Sequence, residues 1–329
     1  MNPQVKDAPS QILGLWDLKR SALTLGGGLV LVEELLIQKR TCHLSRARIC
    51  IVGPAENLRG VDISKDGFHV DSCLVLDAEN CRDSALLSAL LHLEGIDGWY
   101  FSSGTQGFKQ LSEQPGCLVW PEFQNQRFVN YHYEDILDVQ SLFQEYGRVV
   151  ALSLSRECVD RARDFIKTYA PTGLTVAVHL KNNPLQKRCS NAYQPAWLEF
   201  FRACQGKFDA TFILVGNEEV DERIVLLTNV VVAQKKGSQL SLDLALIQSA
   251  DAFMGMASGP CNMVLFGDQP FVIFKNLEHH AAEMEKELGL SDHFNFSKPL
   301  QKILRVDENK EILMNEFAKI YHGLTKQSC

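Results

Sequence analysis

The sequence has no excess of positive charge and no closely spaced cysteines. Lys and Arg total 33 against 40 Asp and Glu, so a broad basic surface that binds nucleic acid without sequence preference is excluded. The 10 cysteines are scattered singly and never at C-x-x-C spacing, which indicates neither a zinc site nor a disulfide framework. A D-x-D triad is also missing near the predicted strand ends, so no divalent metal bridging a diphosphate is expected.

Long apolar runs are absent as well. The two most apolar segments, 29–37 and 85–93, are short or interrupted by charged residues or a histidine, and residues 1–10 lack the pattern of a secretion signal. We therefore expect a cytoplasmic protein with no transmembrane segment, for which contact with a membrane surface stays open. A chain of 329 residues, 46% hydrophobic and 22% charged, is expected to form about two globular domains.

Strand and helix patterns alternate through the first half of the chain. Apolar strand candidates occur at residues 12–15, 47–52, 73–76, 98–101 and 118–120, with helical patterns at 29–39 and 83–93. This alternation predicts a parallel α/β sheet, whose ligands bind at the carboxyl ends of the strands. We assign residues 1–170 to a Rossmann-like N-terminal domain, because Pro171-Thr172-Gly173 interrupts the chain there.

The same alternation starts again after this break. Strands are predicted at 174–180, 210–215, 230–233, 252–255 and 270–274, and helices at 195–203, 241–249 and 260–266. Residues 171–329 are therefore expected to form a second Rossmann-like domain, and the two α/β domains are expected to face a central cleft. The last helical segment, 309–323, could pack on either domain, including back on the first.

A glycine run lies between the first strand and the first helix. Gly26, Gly27 and Gly28 would let a ligand approach the backbone where a helix N-terminus favours an anion. The spacing is not that of a dinucleotide fingerprint. Two interpretations stay open, a structural turn and a loop of an active cleft.

Polar residues stand at the ends of two strands in the second half. His179 and Lys181 lie at the end of the strand 174–180, and Gly216 and Asn217 follow the strand 210–215. A cation at a strand's carboxyl end in an acidic protein has few structural reasons to be there, so we expect Lys181 to contact a phosphate. His179 fits a structural histidine as well as it fits a ligand contact.

A short turn of small residues follows the strand 252–255. Ser258, Gly259 and Pro260 open the next helix, with proline in its first turn and Asn262 close behind. The first amides of a helix have no partner within it, and together with a small hydroxyl they suit a phosphate. The turn is therefore predicted to be an anion site.

The segment 240–270 resembles the nucleotide-sugar element of glycosyltransferases with the GT-B fold, which has two Rossmann-like domains. In this element an acidic helix leads to a short strand, a small-residue turn, a second helix and a strand introduced by glycine and proline. The similarity is closest to bacterial heptosyltransferase-like enzymes and to fucosyltransferase-like enzymes. The strand-end His-x-Arg of the latter is similar to His179-Leu180-Lys181 here.

This resemblance implies a metal-independent transferase of hexosyl or related groups, of the kind that serves bacterial polysaccharide biosynthesis. A nucleotide-sugar would be its substrate, a glycan or another molecule its acceptor, and no cofactor would be needed. Asp17 lies where heptosyltransferase-like enzymes place an acid, which implies a general base, and the loop of Gly26, Gly27 and Gly28 would lie on the acceptor side. The donor-binding residues that the resemblance implies are His179, Lys181, Gly216, Asn217, Ser258, Gly259, Pro260 and Asn262.

Two other functions fit the same sequence. A sugar-nucleotide epimerase or hydrolase of this architecture would use the donor pocket and need no acceptor. A non-catalytic nucleotide-sugar-binding protein would bind the donor and turn over nothing. For Asp17, an ordinary solvated loop carboxylate is also a valid interpretation.

Overall fold

The computed structural model describes residues 8–63, 73–121, 133 and 135–327. The chain forms two compact units, Met1–Val150 and Ala151–Cys329, which we call the N-terminal unit and the C-terminal unit. Each unit has its own sheet with helices between the strands, so the predicted α/β class with two Rossmann-like units is confirmed.

In the part of the N-terminal unit that the structure describes, five strands form the sheet. They are β1 (Gln11–Asp17), β2 (Arg46–Val52), β3 (Leu74–Leu76), β4 (Gly98–Ser102) and β5 (Cys117–Trp120). Their order is β3-β4-β2-β1-β5, and all neighbours are parallel except the edge strand β3, which runs antiparallel to β4. The α-helices among the described residues of this unit are α1 (Leu25–Thr41), α2 (Ala85–Leu90), α3 (Thr105–Ser112) and α4 (Leu137–Tyr146).

Helix α1 begins at Leu25, before the start predicted at residue 29. Thr24 sets this start, because its hydroxyl accepts a hydrogen bond from the Gly27 amide at 3.2 Å. The glycine run 26–28 therefore lies inside the first turn of the helix. The interpretation of these residues as a loop in front of the helix is corrected accordingly.

Six parallel strands form the sheet of the C-terminal unit. They are β6 (Leu174–His179), β7 (Ala210–Val215), β8 (Val230–Val232), β9 (Ala252–Met256), β10 (Phe271–Phe274) and β11 (Gln301–Leu304). Their order is β11-β10-β9-β6-β7-β8. The direction of winding reverses between β6 and β9, and in open α/β sheets ligands bind beyond the carboxyl ends of the strands at such a point.

The helices of the C-terminal unit cover both faces of its sheet. They are α5 (Arg156–Tyr169), α6 (Gln194–Cys204), α7 (Glu222–Val225), α8 (Leu240–Ser249), α9 (Asn262–Leu265), α10 (Ala281–Leu288) and α11 (Lys310–Gln327). The core on one face is rich in aromatic rings. Phe317 of α11 lies 5.7 Å from Phe200 of α6 and 5.2 Å from Phe212 of β7, measured between ring centroids. The last helix therefore belongs to the core of the C-terminal unit.

The boundary between the units lies at residues 150 and 151, before the boundary placed at residue 170 from the sequence. Helix α5 explains the difference, because it packs against α8 of the C-terminal unit. Its buried residues include Cys158, Ala162 and Phe165, which recur at helical spacing on one face. The proline-glycine break at 171–173 is thus a turn from α5 into β6 within the C-terminal unit.

Candidate functional site

His179 joins the ends of three neighbouring strands. It is the last residue of β6 and 2% exposed, in register with Val215 of β7 and Gly255 of β9. Its Nδ1 lies 2.8 Å from the Ser258 hydroxyl, and its Nε2 lies 3.0 Å from Oε1 of Glu218. Both ring nitrogens are therefore occupied by protein groups. This geometry favours the structural interpretation of His179, as a brace between two loops.

The charge of Glu218 supports this brace. Burial alone would raise the pKa of the Glu218 carboxyl, but the hydrogen bond and the charge of His179 hold that pKa below its ordinary value. The carboxylate is therefore ionised at neutral pH and accepts a proton-bearing Nε2. Glu218 was not among the predicted site residues.

Gly216 is held in a conformation that requires glycine. Its φ is +102°, and a Cβ there would collide with Oε2 of Glu218 and lie 3.0 Å from the His179 ring. Its amide donates to Oδ2 of Asp243 at 3.1 Å, and burial raises the pKa of that carboxyl. Gly216 thus shapes the loop that carries Glu218, whereas the neighbouring Asn217 is exposed.

The turn after β9 uses most of its own polar groups. Residues Gly259–Cys261 form a short 3-10 turn that leads into α9. The Cys261 amide donates to the Ser258 carbonyl at 3.1 Å, and the Ser258 amide lies 3.4 Å from the Cys261 sulfur. The Asn262 amide donates to the carbonyls of Gly259 and Pro260. Of the amides in this turn, the Gly259 amide is the one for which the turn provides no acceptor. Fewer amides are therefore available to a phosphate than the sequence predicted.

The Ser258 hydroxyl is also engaged by the protein. It lies 2.8 Å from Nδ1 of His179 and 3.1 Å from the carbonyl oxygen of Met256. The sequence predicted a hydroxyl open to a phosphate. The structure instead places this hydroxyl in a bond that fixes the turn relative to β6.

Two lysines lie at strand ends beside this turn. Lys181 follows β6, and Lys275 directly follows β10, which pairs with β9. Burial lowers the pKa of Lys275, the charge of Lys181 lowers it further, and the carboxylates of Glu287 and Glu283 oppose this effect. The two ammonium groups therefore interact electrostatically. Lys275 was missed from the sequence, although it shows the same signal as Lys181, a cation at the end of an apolar strand.

A histidine extends this basic cluster. Burial lowers the pKa of His279 to about 4, and the charges of His280, Lys275 and Lys181 contribute to the shift. His279 is thus neutral at pH 7, while the lysines beside it supply positive charge. An anion placed among these groups would relieve the repulsion between them.

Asp17, the predicted base, lies at the carboxyl end of β1 in the N-terminal unit. Its Oδ1 accepts from the Lys19 amide at 2.9 Å, and its own amide donates to the hydroxyl of Tyr133 at 2.8 Å. The carboxylate therefore caps its own turn, as a structural loop acid does.

The glycine run beside it is explained by packing. Tyr133 stacks on Trp16 with the ring centroids 3.9 Å apart. A Cβ on Gly27 would lie 2.6 Å from the Trp16 ring and 2.9 Å from the Tyr133 carbonyl oxygen. A Cβ on Gly28 would lie 3.1 Å from Leu90 of α2. Close packing of α1 thus accounts for two of the three glycines without a ligand.

Two further features bear on the kind of site. Within the described ranges, no three His, Cys, Asp or Glu side chains come together as a metal-binding group. Among the helices of the same residues, none combines the length and the apolarity that a membrane crossing requires.

Comparisons with known proteins find similarity in structure but not in sequence. No family model matches the chain, and no curated protein matches its sequence. A glycosyl transferase family 9 protein from Veillonella parvula matches with a TM-score of 0.49 and 12% identity, over 96% of this chain and 90% of that one. ADP-heptose lipopolysaccharide heptosyltransferase II from E. coli matches with a TM-score of 0.48 and 13% identity, over 96% and 99%.

A third structure is the iron-containing dodecameric glycosyltransferase TibC from enterotoxigenic E. coli, with a TM-score of 0.42 and 11% identity over 98% of this chain and 79% of that one. These structures belong to the group that the sequence resemblance names.

Proposed function

We propose that this chain is a glycosyltransferase that binds the diphosphate of a nucleotide-sugar at the carboxyl edge of the C-terminal unit's sheet. The observation that carries the proposal is the position of Lys181 and the Ser258 turn at the ends of β6 and β9, where the winding of the sheet reverses. A cation and an available amide at this point suit a diphosphate.

The bracing of His179 gives this site a fixed shape. Glu218 and Ser258 each bind one nitrogen of the buried His179 ring, so the loops after β7 and β9 are fixed in position relative to β6, which Lys181 follows. Fixed donors stabilise a developing charge better than mobile ones, because they need no reorganisation during the reaction. In this proposal His179, Glu218 and Gly216 position the site, and Lys181 and the Gly259 amide contact the ligand.

The proposed reaction transfers the sugar to an acceptor hydroxyl. The hydroxyl oxygen forms a bond to the anomeric carbon, the bond from that carbon to the diphosphate oxygen breaks, and the nucleoside diphosphate leaves with the electron pair. Lys181 neutralises the charge on the leaving diphosphate, so a divalent metal is not required in this scheme. Asp17 is proposed to take the hydroxyl proton on the acceptor side.

A ligand panel tests the binding step. A nucleotide-sugar at 100 times its dissociation constant should stabilise the native state by about 2.7 kcal/mol, which is readily seen as a thermal shift. UDP-, GDP-, ADP- and CMP-sugars form the panel. We expect one nucleotide class to raise the melting temperature, and no shift with any member would overturn the proposal.

Product analysis with the best donor tests the transfer step. Incubation with donor alone should leave the donor intact, because the sugar moves only to an acceptor. Release of free sugar or formation of an isomer under these conditions would identify a hydrolase or an epimerase. The variant Asp17→Asn should bind the donor normally and lose transfer, and normal transfer by this variant would remove Asp17 from the mechanism.

A further inference from the structure

The hydroxyl of Ser258 is the first group in a row of three polar side chains. Its oxygen lies 2.8 Å from Nδ1 of His179, and Nε2 of the same ring lies 3.0 Å from Oε1 of Glu218. Both distances fall within the roughly 2.6–3.2 Å over which a base can activate a nucleophile. The other neighbour of the hydroxyl, the carbonyl oxygen of Met256, is farther away at 3.1 Å. A serine, a histidine and a carboxylate in this order are the groups with which many hydrolases activate a hydroxyl.

The three side chains meet because three strand ends are adjacent. His179 ends β6, while Glu218 and Ser258 lie on the loops that follow β7 and β9. Since β6 lies between β7 and β9 in the sheet, the histidine is flanked by the other two residues. His179 is 2% exposed, whereas Ser258 is half-buried. The ring is therefore shielded from water, while the serine keeps part of its surface accessible.

The carboxylate of Glu218 suits the third position of such a row. Its pKa is held below its ordinary value by the hydrogen bond and the charge of His179, so the group is ionised at neutral pH. When the ring takes up a proton, a carboxylate at the other nitrogen stabilises the positive charge that forms and keeps the ring in orientation. Glu218 can therefore act as a positioning residue for His179.

The backbone after Ser258 provides a donor for negative charge. The amides of Cys261 and Asn262 bond to carbonyl oxygens of the turn, which provides no acceptor for the amide of Gly259. In hydrolases that carry their serine between a strand and a helix, the amide of the next residue stabilises the oxyanion of the reaction. Ser258 likewise lies between β9 and the turn that leads into α9, with Gly259 as the next residue.

We propose that Ser258 is a nucleophile activated by His179, and that the protein hydrolyses carboxylic esters through it. This activity is separate from sugar transfer and does not depend on the proposed function. The Ser258 oxygen forms a bond to the ester carbonyl carbon, Nδ1 of His179 takes the hydroxyl proton, and the carbonyl oxygen becomes an oxyanion beside the Gly259 amide. When the carbonyl forms again, the bond to the alkoxy group breaks, and this group leaves as an alcohol with the proton from His179.

Water completes the cycle. Its oxygen forms a bond to the carbonyl carbon of the acyl-serine while His179 takes one of its protons. The bond between that carbon and the Ser258 oxygen then breaks, the proton returns to this oxygen, and the carboxylic acid leaves. No oxidant, metal or cofactor enters the balance.

Diisopropyl fluorophosphate is the first probe, because an activated serine attacks its phosphorus, fluoride leaves and the diisopropylphosphoryl group stays on the serine. Intact-protein mass spectrometry should show one such group per chain, and peptide mapping should place it on Ser258. The second probe is p-nitrophenyl acetate, whose hydrolysis is followed by the release of p-nitrophenolate. Both measurements use the full chain, and peptide mapping of the wild type stays informative even if a Ser258 variant does not fold.

Variants of the three residues separate catalysis from bracing. Ser258→Ala should take no label and lose the hydrolysis that depends on this serine. His179→Gln keeps a polar side chain but supplies no base, so labelling should slow by at least about 100-fold, the usual contribution of a general base. Glu218→Gln keeps an oxygen that can accept from Nε2 but lacks the charge, and labelling should slow by about 10-fold or more. A carboxylate with a purely structural role would leave the labelling rate unchanged in a folded Glu218→Gln protein.

Ser141→Ala is the matched control. Ser141 is an exposed serine of α4 whose hydroxyl donates to the Leu137 carbonyl at 2.8 Å, so it shares with Ser258 a hydroxyl in contact with a backbone carbonyl. This variant should take the label at the wild-type rate. Wild-type protein without a label on Ser258, or equal labelling rates in the wild type and a folded His179→Gln protein, would overturn the proposal. Labelled Ser258 without hydrolysis of p-nitrophenyl acetate would overturn the proposed esterase activity, and none of these results bears on nucleotide binding, which is measured separately.

Discussion

Replacement of His179 by alanine tests whether this residue braces the site or contacts the ligand. The substitution removes the hydrogen bond to the charged Glu218 and the bond to the Ser258 hydroxyl. Bonds to charged groups contribute about 1.5–3 kcal/mol and neutral ones about 0.5–1.5 kcal/mol, so the two together predict a loss of roughly 2–4.5 kcal/mol. Loss of the packed ring adds to this figure, because His179 is almost fully buried.

Urea denaturation followed by fluorescence measures this loss as a shift of the midpoint. The control is His322→Ala on α11, an exposed histidine whose replacement should change stability by less than about 0.5 kcal/mol. A loss of stability below about 1 kcal/mol for His179→Ala would refute the brace, because the hydrogen bond to the charged Glu218 alone should contribute more than that. Lost nucleotide affinity with unchanged stability would show that the ring touches the ligand instead.

The pH dependence of Glu218 gives a second check on the same brace. The folded-state pKa of Glu218 is lowered. Its contribution to the free energy of unfolding is therefore present above the unfolded-state pKa and is lost as pH falls through the folded-state pKa. In Glu218→Gln this part of the acid-induced loss should disappear. If the variant loses as much stability at acid pH as the wild type does, the bond between Glu218 and His179 is contradicted.

Three further predictions follow from other parts of the structure. Gly259→Val should abolish nucleotide binding while circular dichroism shows an intact fold, because Gly259 is half-buried and lies at the strand end where the ligand is proposed to bind; normal affinity would make the turn structural. Sugar transfer should survive EDTA, since Lys181 and Lys275 supply the positive charge. Loss of transfer with EDTA, restored by an added divalent metal, would contradict this. Burial raises the pKa of Glu33 well above its ordinary value, so its contribution to stability is full below the unfolded-state pKa and is lost as pH rises through the folded-state pKa. Glu33→Gln should flatten that fall, as measured by urea denaturation across the pH range.

The strands of the C-terminal unit could be predicted because their residues are almost all buried. β7 is Ala210–Val215, as expected from a run that is apolar apart from Thr211, and β6 and β9 differ from the prediction by one residue at one end. β11 was missed, since Gln301–Leu304 alternates buried and half-buried residues and begins with a buried glutamine. A short edge strand of this kind has no clear periodicity to detect.

The candidate site was predictable only where it follows from strand ends. Lys181 and the Ser258 turn could be placed at one edge of a sheet from the alternation alone. The hydrogen bond between His179 and Glu218 joins residues 39 positions apart, and the sequence pattern around neither residue predicts it. The start of α1 depended on one hydroxyl, that of Thr24, which turned an expected loop into a helical turn.

The affinity of the protein for a nucleoside diphosphate, compared between the wild type and Lys181→Ala, tests the central claim most directly. The nucleotide is the one that the thermal-shift panel selects, and calorimetry at fixed salt gives both dissociation constants. We expect the variant to bind more weakly by about 1.5–3 kcal/mol, the contribution of a charge-assisted hydrogen bond to a phosphate. Equal dissociation constants for the two proteins would remove Lys181 from the site and contradict a donor site at the carboxyl edge of the C-terminal sheet.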